Sequence, residues 1–283
     1  MTGPGPAQDS TLFFIGTATT LIRYGDMTVL TDPNFLHRGQ RAYLGRGLTA
    51  RRLTEPAISV EELPAVDAVV LSHLHGDHWD RQAQRGLPRD TPIITTPHAA
   101  RRLQWRGFAR SAGLRTWGSQ ELISGVTRLK ITALPGQHTL IPVPRLLPPV
   151  MGTMLEFGPV TGEVALRLYI SGDTLLIDDL HQIPQRYPQI DAAVLHLGGT
   201  TLPGGMVVTM DAKQGADLME LVGAGMAIPV HFDDYPLFKS PLSDFRAEVT
   251  RRGIVDRVRF VDRGDTVSLS QPVPAGQPGQ PLG

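Results

Sequence analysis

Three histidines and an aspartate fall within residues 73–78, and this motif constrains the fold more than any other feature of the chain. The motif reads SHLHGDH and follows the apolar run AVDAVVL. That run is too short for an ordinary helix and is typical of a buried strand. At a strand end, His73 and His75 project to the same side, whereas Asp77 and His78 are adjacent and diverge. One segment is therefore predicted to supply ligands to two metal ions.

The chain has 283 residues and contains no cysteine, which limits the chemistry of that motif. Disulfide bonds, thiolate metal sites, iron–sulfur clusters and cysteine nucleophiles are all excluded. Any metal ion must be held by imidazole and carboxylate groups. Such a ligand set suits zinc or manganese, with iron as a third option, and the sequence does not choose among them.

Charge and hydropathy narrow the class of partner. Lysine plus arginine and aspartate plus glutamate both total 27, so no global electrostatic field concentrates nucleic acid or anionic membrane on the surface. The amino-terminal residues MTGPGPAQDS lack the apolar core of a signal peptide, and no later run has the length of a membrane span. We therefore expect a cytoplasmic protein with a small-molecule substrate, no stable nucleic-acid partner and no integral membrane association. The oligomeric state is left open.

Local composition predicts one folded unit over residues 11–270. Residues 1–10 and 271–283 are polar or rich in glycine and proline, so we expect disordered tails. The proline-rich segment 135–150 cannot form a regular element and is expected to be a lid. Predicted strands cluster in each half of the folded unit, with a helix late in each half. This order predicts an α/β (α+β) chain with two packed sheets and helices outside.

Turn and capping residues locate several elements. A Gly-Asp loop at residues 25–26 joins two β-branched runs and predicts a hairpin. A Thr-Pro pair predicts a helix over residues 97–106. Residues 114–117 and 258–262 are predicted to be strands.

Further polar residues follow other predicted strands. His138 begins the proline-rich segment, Asp173 ends the run YISGD and His231 ends AIPVH. Each of these residues alone is more often structural, but all three share the carboxyl end of a strand with the motif at residues 73–78. His196 ends another buried run, and we expect it either to contact a substrate oxygen as a catalytic residue or to be a core histidine.

The order of these motifs resembles the metallo-β-lactamase superfamily, whose pattern is His-x-His-x-Asp-His followed by a histidine, an aspartate and a final histidine. The resemblance covers nearly the whole folded unit. It implies a four-layer αββα sandwich with a binuclear metal site at one edge. It also implies that the first metal ion is bound by His73, His75 and His138, the second by Asp77, His78 and His231, and both by a bridging Asp173.

Within the superfamily, several segments look like the branch of ascorbate-phosphate lactonases and N-acylphosphatidylethanolamine phospholipase D. These segments are IGTATTLI, TDPNF, SHLHGDHWD, PGQH, SGDT and IPVHFDD. Physical chemistry agrees with the hydrolase that the resemblance implies. Two metal ions about 3.5–4 Å apart hold a bridging hydroxide near neutral pH and polarise a carbonyl or phosphoryl oxygen.

Nearby carboxylates have expected roles in this chemistry. Asp77 is expected to act as a catalytic residue that orients the nucleophile or accepts its proton. Asp80 either orients a ligand or caps the following helix, and the two roles are compatible. One of Asp233 and Asp234 is expected to orient a ligand.

Residues 33–54 contain five arginines and no acidic residue, and they bear on the substrate. The arginines are Arg38, Arg41, Arg46, Arg51 and Arg52. Guanidinium groups bind phosphate oxygens in a bidentate manner, which favours a small phosphodiester or a phosphorylated lactone if this loop lies beside the metal ions. A solvated loop with no role in binding is the alternative. Residues 140–150 are expected to cover an apolar part of the substrate.

Two other functions stay open at this point. One is the hydrolysis of a different ester or lactone. The other is a di-iron redox reaction on the same fold, although such relatives usually have glutamate in place of His75 and carry an additional flavodoxin-like domain. A binuclear metal-dependent hydrolase is therefore the leading prediction.

Overall fold

The computed structural model describes residues 9–139 and 147–269 of the chain. The first strand begins at Ser10, one residue before the predicted start of the folded unit. The rest of the predicted amino-terminal tail up to residue 8, the predicted carboxyl-terminal tail and residues 140–146 of the predicted lid lie outside the described residues, so these expectations stay predictions.

Five strands open the described part of the chain, and helices are then interspersed among the remaining strands. The strands are β1 (Ser10–Gly16), β2 (Thr19–Tyr24), β3 (Met27–Thr31), β4 (Arg41–Gly45), β5 (Leu48–Arg51), β6 (Ala68–Val70), β7 (Ile93–Thr95), β8 (Ser111–Gly113), β9 (Ser119–Ser124), β10 (Thr127–Leu134), β11 (Gly152–Pro159), β12 (Leu166–Ile170), β13 (Ala192–His196), β14 (Thr201–Leu202), β15 (Met206–Val207), β16 (Met226–Val230) and β17 (Thr266–Ser268). The α-helices are α1 (Arg81–Gly86), α2 (Pro97–Trp105), α3 (Gln182–Arg186), α4 (Ala212–Val222) and α5 (Leu242–Arg251). Short 3-10 helices span Val60–Glu62, Asp178–His181 and Val255–Arg257.

Two large sheets bring several strand ends to one edge. The first sheet has the order β17-β1-β2-β3-β6-β7-β8 and the second has the order β16-β13-β12-β11-β10-β9. Strands β3, β6 and β7 are parallel to one another, as are β12, β13 and β16. Strands β10 and β12 are both antiparallel to β11 and so run in the same direction. The carboxyl ends of these strands therefore meet at the same edge of their sheet.

Side-chain alternation along the central strands builds three apolar layers. Val70 and Val194 pack between the two sheets. Val69 faces outward against α1 and α2, and Leu195 faces outward against α4 and α5. Successive strand residues point to opposite faces, so each sheet is covered on both sides. The result is the αββα sandwich that the sequence predicted.

Capping and turn chemistry explain why several predicted elements form. The predicted hairpin at residues 25–26 joins β2 to β3, and the two strands pair in register. Helix α2 begins at Pro97, and the side chain of Thr96 accepts the backbone N–H of Ala99. A side-chain acceptor at this position stabilises a helix by about 1 kcal/mol. Both predicted elements are confirmed.

Two predicted strands are wrong. Residues 114–117 do not form a strand, since β8 ends at Gly113 and Trp117 has a φ of 68°, which interrupts an extended chain. Residues 258–262 contribute one isolated bridge, from Val258 to Ala227. A short local pattern predicted a strand in both cases, but it does not show whether a sheet edge is available to pair with it. Among the described residues, no helix is both long enough and apolar enough to cross a membrane.

Candidate metal centre

The edge where the strands end collects the residues singled out in the sequence. The segment 72–78 follows β6, His138 follows β10 and Asp173 follows β12. His196 is the last residue of β13, and His231 directly follows β16. His231 has a φ of 62° and its N–H donates to the carbonyl of Thr17 at 2.6 Å, so the chain turns away from the sheet at that residue. The site lies between the two sheets because both contribute to it.

One group of potential ligands consists of His73, His75 and His138, whose ring nitrogens lie within 4.8 Å of one another. Nε2 of His73 is 2.9 Å from Nδ1 of His75. Nδ1 of His138 lies 3.1 Å from the carbonyl of Val208, so the proton of a neutral ring is on Nδ1 and Nε2 carries a lone pair. That buried Nε2 has no hydrogen-bond partner among the described residues. The three rings can hold one metal ion.

A second group consists of Asp77, His78, Asp173 and His231, all of which are buried. Oδ2 of Asp173 is 3.2 Å from Nε2 of His78 and 3.5 Å from Nε2 of His231. Oδ2 of Asp77 is 3.6 Å from Nε2 of His231. Oδ1 of Asp77 is buried and has no hydrogen-bond partner in the described part of the chain. Two imidazoles and two carboxylates thus surround a second position where a metal ion could bind.

The tautomers of His78 and His231 test whether a cation fits there. Nδ1 of His231 lies 3.0 Å from the carbonyl of Leu197, and Nδ1 of His78 lies 3.3 Å from Oδ2 of Asp32. Both rings therefore donate through Nδ1, and in the neutral rings both Nε2 atoms carry lone pairs. These Nε2 atoms are only 3.2 Å apart and face the carboxylate of Asp173. These two lone pairs and the buried carboxylate need a positive charge between them, because buried charges and acceptors without a partner are unfavourable. A divalent metal ion fits this set of nitrogen and oxygen ligands.

The two groups differ in their proton affinity. Burial, with the neighbouring His78 and His138, lowers the pKa of His73 well below its ordinary value. Burial and His138 lower the pKa of His75 to about 3, and burial also lowers the pKa of His138. Neutral imidazole is the form that binds a metal ion. The first group is therefore ready to bind a metal ion near neutral pH.

Carboxylates reverse this effect in the second group. Burial alone lowers the pKa of His78, but Asp173 and Asp32 raise it well above its ordinary value. The pKa of His231 is likewise lowered by burial and raised overall by Asp173 and Asp77. Burial raises the pKa of Asp173, yet His231 and His78 hold it well below its usual range. Without a metal ion, protons compensate the charge of these carboxylates.

Asp32 belongs to this site although it was not predicted. Its Oδ1 accepts the N–H and the hydroxyl of Ser72, at 2.7 and 3.0 Å, and its Oδ2 faces Nδ1 of His78. Asp32 directly follows β3, which is the parallel neighbour of β6. The signal was present in the sequence, since an aspartate at the end of a strand was already the reason for choosing Asp173. The prediction missed that the hairpin strand enters the same sheet edge.

His196 is fully buried behind the second group. Its Nδ1 lies 3.3 Å from Oδ1 of Asp173, and its Nε2 lies 3.9 Å from Oδ2 of Asp32. The other carboxylate oxygen of Asp173 accepts the hydroxyl of Thr209 at 3.1 Å. These contacts favour a role in holding Asp173 over contact with a substrate.

The remaining carboxylates have structural partners. Asp80 caps α1 by accepting the N–H groups of Gln82 and Ala83, and its other oxygen accepts those of Phe35 and Leu36. Of its two expected roles, the structure shows the helix cap. Asp234 is buried and accepts the N–H of Thr17, the hydroxyl of Thr54 and the guanidinium of Arg263. Asp233 is exposed and accepts the N–H of Leu242 at 3.4 Å. Within residues 9–139 and 147–269, neither Asp233 nor Asp234 accepts a hydrogen bond from a ligand histidine.

The arginine-rich segment 33–54 contains the hairpin β4–β5, which packs beside the site. The N–H of Gly76 donates to the carbonyl of Tyr43 at 2.9 Å, so the hairpin contacts the metal-binding motif directly. Arg52 is fully buried and donates to both oxygens of Asn34. Its burial removes Arg52 from the arginines of this segment that could reach a substrate, because a residue's place in a basic loop does not show whether its side chain turns inward.

The sequence of most of this chain, including the two groups of potential ligands, is similar to that of known proteins. Residues 27–232 match the model of the β-lactamase superfamily domain. The UPF0173 metal-dependent hydrolase of Deinococcus radiodurans is 30% identical over 203 residues, which cover 71% of this chain and 80% of that protein.

Solved structures share the fold at lower identity. The isothiocyanate hydrolase from Delia radicum gut bacteria superposes with a TM-score of 0.78 at 23% identity, covering 91% of this chain and 99% of that one. CmlA, a diiron β-hydroxylase from Streptomyces venezuelae, gives a TM-score of 0.66 at 15% identity, covering 94% of this chain and 55% of that one. These identities show the fold alone, and the fold serves both a hydrolase and a hydroxylase.

Proposed function

We propose that this chain, which belongs to the β-lactamase superfamily and is a metal-dependent hydrolase, binds two divalent metal ions and hydrolyses a small ester-like substrate. The observation that supports two ions is the pair of ligand groups, each with a buried atom that has no hydrogen-bond partner among the described residues. These atoms are Nε2 of His138 in the first group and Oδ1 of Asp77 in the second. Two separate unpartnered acceptors favour two cations over one.

Each residue of the two groups has a role in this proposal. His73, His75 and His138 would hold one ion, Asp77, His78 and His231 would hold the other, and Asp173 would be the shared ligand that the resemblance implies. When bound, the ions lower the pKa of a water molecule and polarise the oxygen of the scissile bond. The ligand set suits zinc or manganese, and iron is the third option.

Three side chains of the site act on protons or on geometry. Asp77 has two carboxylate oxygens, so one would contact the ion while the other would accept a hydrogen bond from the nucleophile and orient it. His196 and Thr209 hold the two oxygens of Asp173, which fixes the carboxylate against His78 and His231. Groups that orient ligands in this way typically change metal affinity or activity by about 10–100-fold when they are replaced.

The proposed substrate is a small phosphodiester or a phosphorylated lactone, as the resemblance to the lactonase and phospholipase D branch implies. The contact between Gly76 and Tyr43 supports this preference, because it places the arginine-bearing hairpin against the metal-binding motif. With Arg52 removed from the set, the arginines of this segment that remain candidates for a phosphate are Arg38, Arg41, Arg46 and Arg51. A different ester or lactone is the alternative substrate.

A di-iron redox reaction is the second candidate function. The CmlA hydroxylase shares the fold but is nearly twice as long as the part that superposes. In this chain the second position of the motif is His75, whose Nδ1 faces His73 at 2.9 Å. An imidazole at this position favours the hydrolase.

Metal analysis combined with a substrate screen tests the proposal. We expect up to two zinc or manganese ions per chain, and hydrolysis of a phosphodiester or a phosphorylated lactone but not of a phosphomonoester. An isothiocyanate belongs in the screen because a structural neighbour hydrolyses that class. The double variant His73→Ala with His231→Ala removes one ligand from each group, and exposed His181→Ala is the matched control. Full metal content and full hydrolysis in the double variant would overturn the proposal.

A further inference from the structure

A cavity of about 350 Å³ next to the metal-binding motif is lined by three arginines from three different elements. Arg41 begins β4, Arg81 is the first residue of α1 and Arg106 follows the last residue of α2. Another part of the wall comes from Leu74 and Gly76. The cavity thus adjoins the metal-binding motif but is lined by residues that the metal centre does not use.

Backbone contacts fix this cavity in the fold. The N–H of Gly76 donates to the carbonyl of Tyr43, and a Cβ at residue 76 would lie 2.5 Å from the nitrogen of Tyr43. On the other side, the carboxylate of Asp80 accepts the N–H groups of Phe35 and Leu36, at 2.5 and 2.7 Å. The hairpin that carries Arg41 is therefore anchored to the metal-binding motif, and the segment that leads into the hairpin is anchored to the start of α1.

The charge of these arginines is not compensated by acidic side chains. Among residues 9–139 and 147–269, no ion pair joins Arg41, Arg81 or Arg106 to a carboxylate. Arg41 donates to the hydroxyl of Thr49 and Arg106 to the amide of Gln84, and both of these partners are neutral. The acidic residue in the lining is Asp80, which already accepts four backbone N–H groups. The three guanidinium groups keep donors for an incoming anion.

The surrounding chain strengthens the positive field. Residues 81–115 contain eight arginines and one acidic residue, although the whole chain has a net charge of zero. Burial and the nearby Arg102 together lower the pKa of Arg106. Guanidinium groups that line the same cavity repel one another, and an anion in the cavity reduces that repulsion.

We propose that this cavity binds a phosphate group. Inorganic phosphate or a phosphate monoester carries close to two negative charges at neutral pH and offers several oxygens, which matches three guanidinium groups that bind in a bidentate manner. Leu74 and Gly76 flank His75 in the chain, so the cavity lies against the backbone of the segment that carries His73 and His75 of the first ligand group. The phosphate can belong to the substrate of the proposed hydrolase or to a separate small ligand, and the experiment distinguishes these two sources.

The first measurement is the affinity of the metal-loaded protein for inorganic phosphate, determined by calorimetric titration. Arg81→Ala and Arg106→Ala should each weaken binding by about tenfold, as expected for the loss of one charge-assisted hydrogen-bonding group. Arg101→Ala lies on α2 but outside the cavity and is the matched control, with an unchanged Kd. The Kd of Arg106→Lys should lie between those of the wild type and Arg106→Ala, because lysine keeps the charge but not the bidentate geometry. An unchanged Kd in the double variant Arg81→Ala with Arg106→Ala would overturn the proposal, since phosphate then binds elsewhere, for instance at the metal ions.

The second measurement identifies the source of the phosphate, and it rests on the proposed function. The same variants are compared on a phosphorylated and a neutral ester with the same leaving group. A loss of kcat/KM confined to the phosphorylated ester identifies a phosphate of the substrate. Unchanged kcat/KM on both esters, with weakened phosphate binding, identifies a separate ligand. If no ester is hydrolysed at all, the proposed function fails, whereas the titration still decides whether the cavity binds phosphate.

Discussion

Oδ2 of Asp32 lies 3.3 Å from Nδ1 of His78, so a residue at the end of β3 orients the imidazole ring of a histidine that follows β6. The same carboxylate accepts the N–H of Ser72 through Oδ1. Asp32 thus holds both the backbone where the metal-binding motif begins and the ring of His78. A carboxylate behind an imidazole fixes its tautomer and increases its basicity toward a metal ion.

Asp32→Asn should weaken metal binding at the second group by about 10–100-fold, because the amide keeps the shape but loses the negative charge behind His78. Binding at the first group should change little. Titration against a chelator that competes for the metal measures both affinities. Asp233→Asn is the control, since Asp233 is an exposed carboxylate that accepts the N–H of Leu242. Equal affinities for Asp32→Asn and wild type would show that the ring of His78 is held by other contacts.

The position of Asp32 also shows how far the sequence could predict this site. The ligand groups were predictable because the relevant residues follow strands, and parallel strands deliver such residues to one edge. Asp32 follows a strand in the same way, but its strand was assigned to a hairpin rather than to the edge of the site. Pairing between β3 and β6 is a contact between distant parts of the chain, and local patterns do not reveal it.

The arginine-rich segment illustrates a second limit. Composition predicted a basic loop, and the structure contains a hairpin there, β4–β5. Arg52 turns inward to Asn34, whereas Arg41 lines the cavity beside the motif. Nothing in the spacing of the arginines distinguishes these two outcomes, because each depends on a partner from elsewhere in the fold.

His196→Leu should lower kcat and the metal content of the second group, because it removes the donor to Asp173 while filling a similar buried volume. His196→Asn should retain more of the kcat and of the metal content than His196→Leu, since its amide can still donate toward Oδ1 of Asp173. Metal content and kcat are measured beside the melting temperature. A purely structural role predicts that the two variants lose melting temperature in parallel with activity, with no rescue by asparagine. Thr209→Val removes the other donor to Asp173 and should resemble His196→Leu.

Metal affinity of the second group should rise with pH between about 6 and 8, while that of the first group changes little. Asp173 and Asp32 raise the pKa of His78, so a metal ion must displace a proton there. Burial lowers the pKa of His73 and, with His138, lowers that of His75 to about 3, so these rings are already neutral. Metal content after dialysis at several pH values measures the effect. Simultaneous loss of both ions on acidification would contradict it.

The metal-free protein should show the opposite trend in stability. A histidine whose pKa is raised in the folded state stabilises that state below the ordinary pKa, and the contribution is lost as pH rises through the folded-state value. His78 and His231 both have a raised pKa. The melting temperature of the metal-free protein should therefore fall as pH rises above about 6.5, whereas bound metal should remove most of this dependence. A pH-independent melting temperature without metal would contradict the assignment of protons to these two rings.

Gly76→Ala should destabilise the protein by about 1–3 kcal/mol, because the added Cβ would lie 2.5 Å from the nitrogen and 2.6 Å from the oxygen of Tyr43. Those atoms are backbone, so the hairpin must move to relieve the contact, and it would carry Arg41 with it. Denaturant unfolding measures the change in free energy. Tyr43→Ala is the control, since this side chain is 58% exposed and its loss should change the free energy of unfolding by no more than about 0.5 kcal/mol.

If the backbone contact between residues 43 and 76 holds the phosphate cavity together, Gly76→Ala should also weaken phosphate binding. Phosphate binding at wild-type affinity in a destabilised Gly76→Ala would show that the cavity does not depend on this contact.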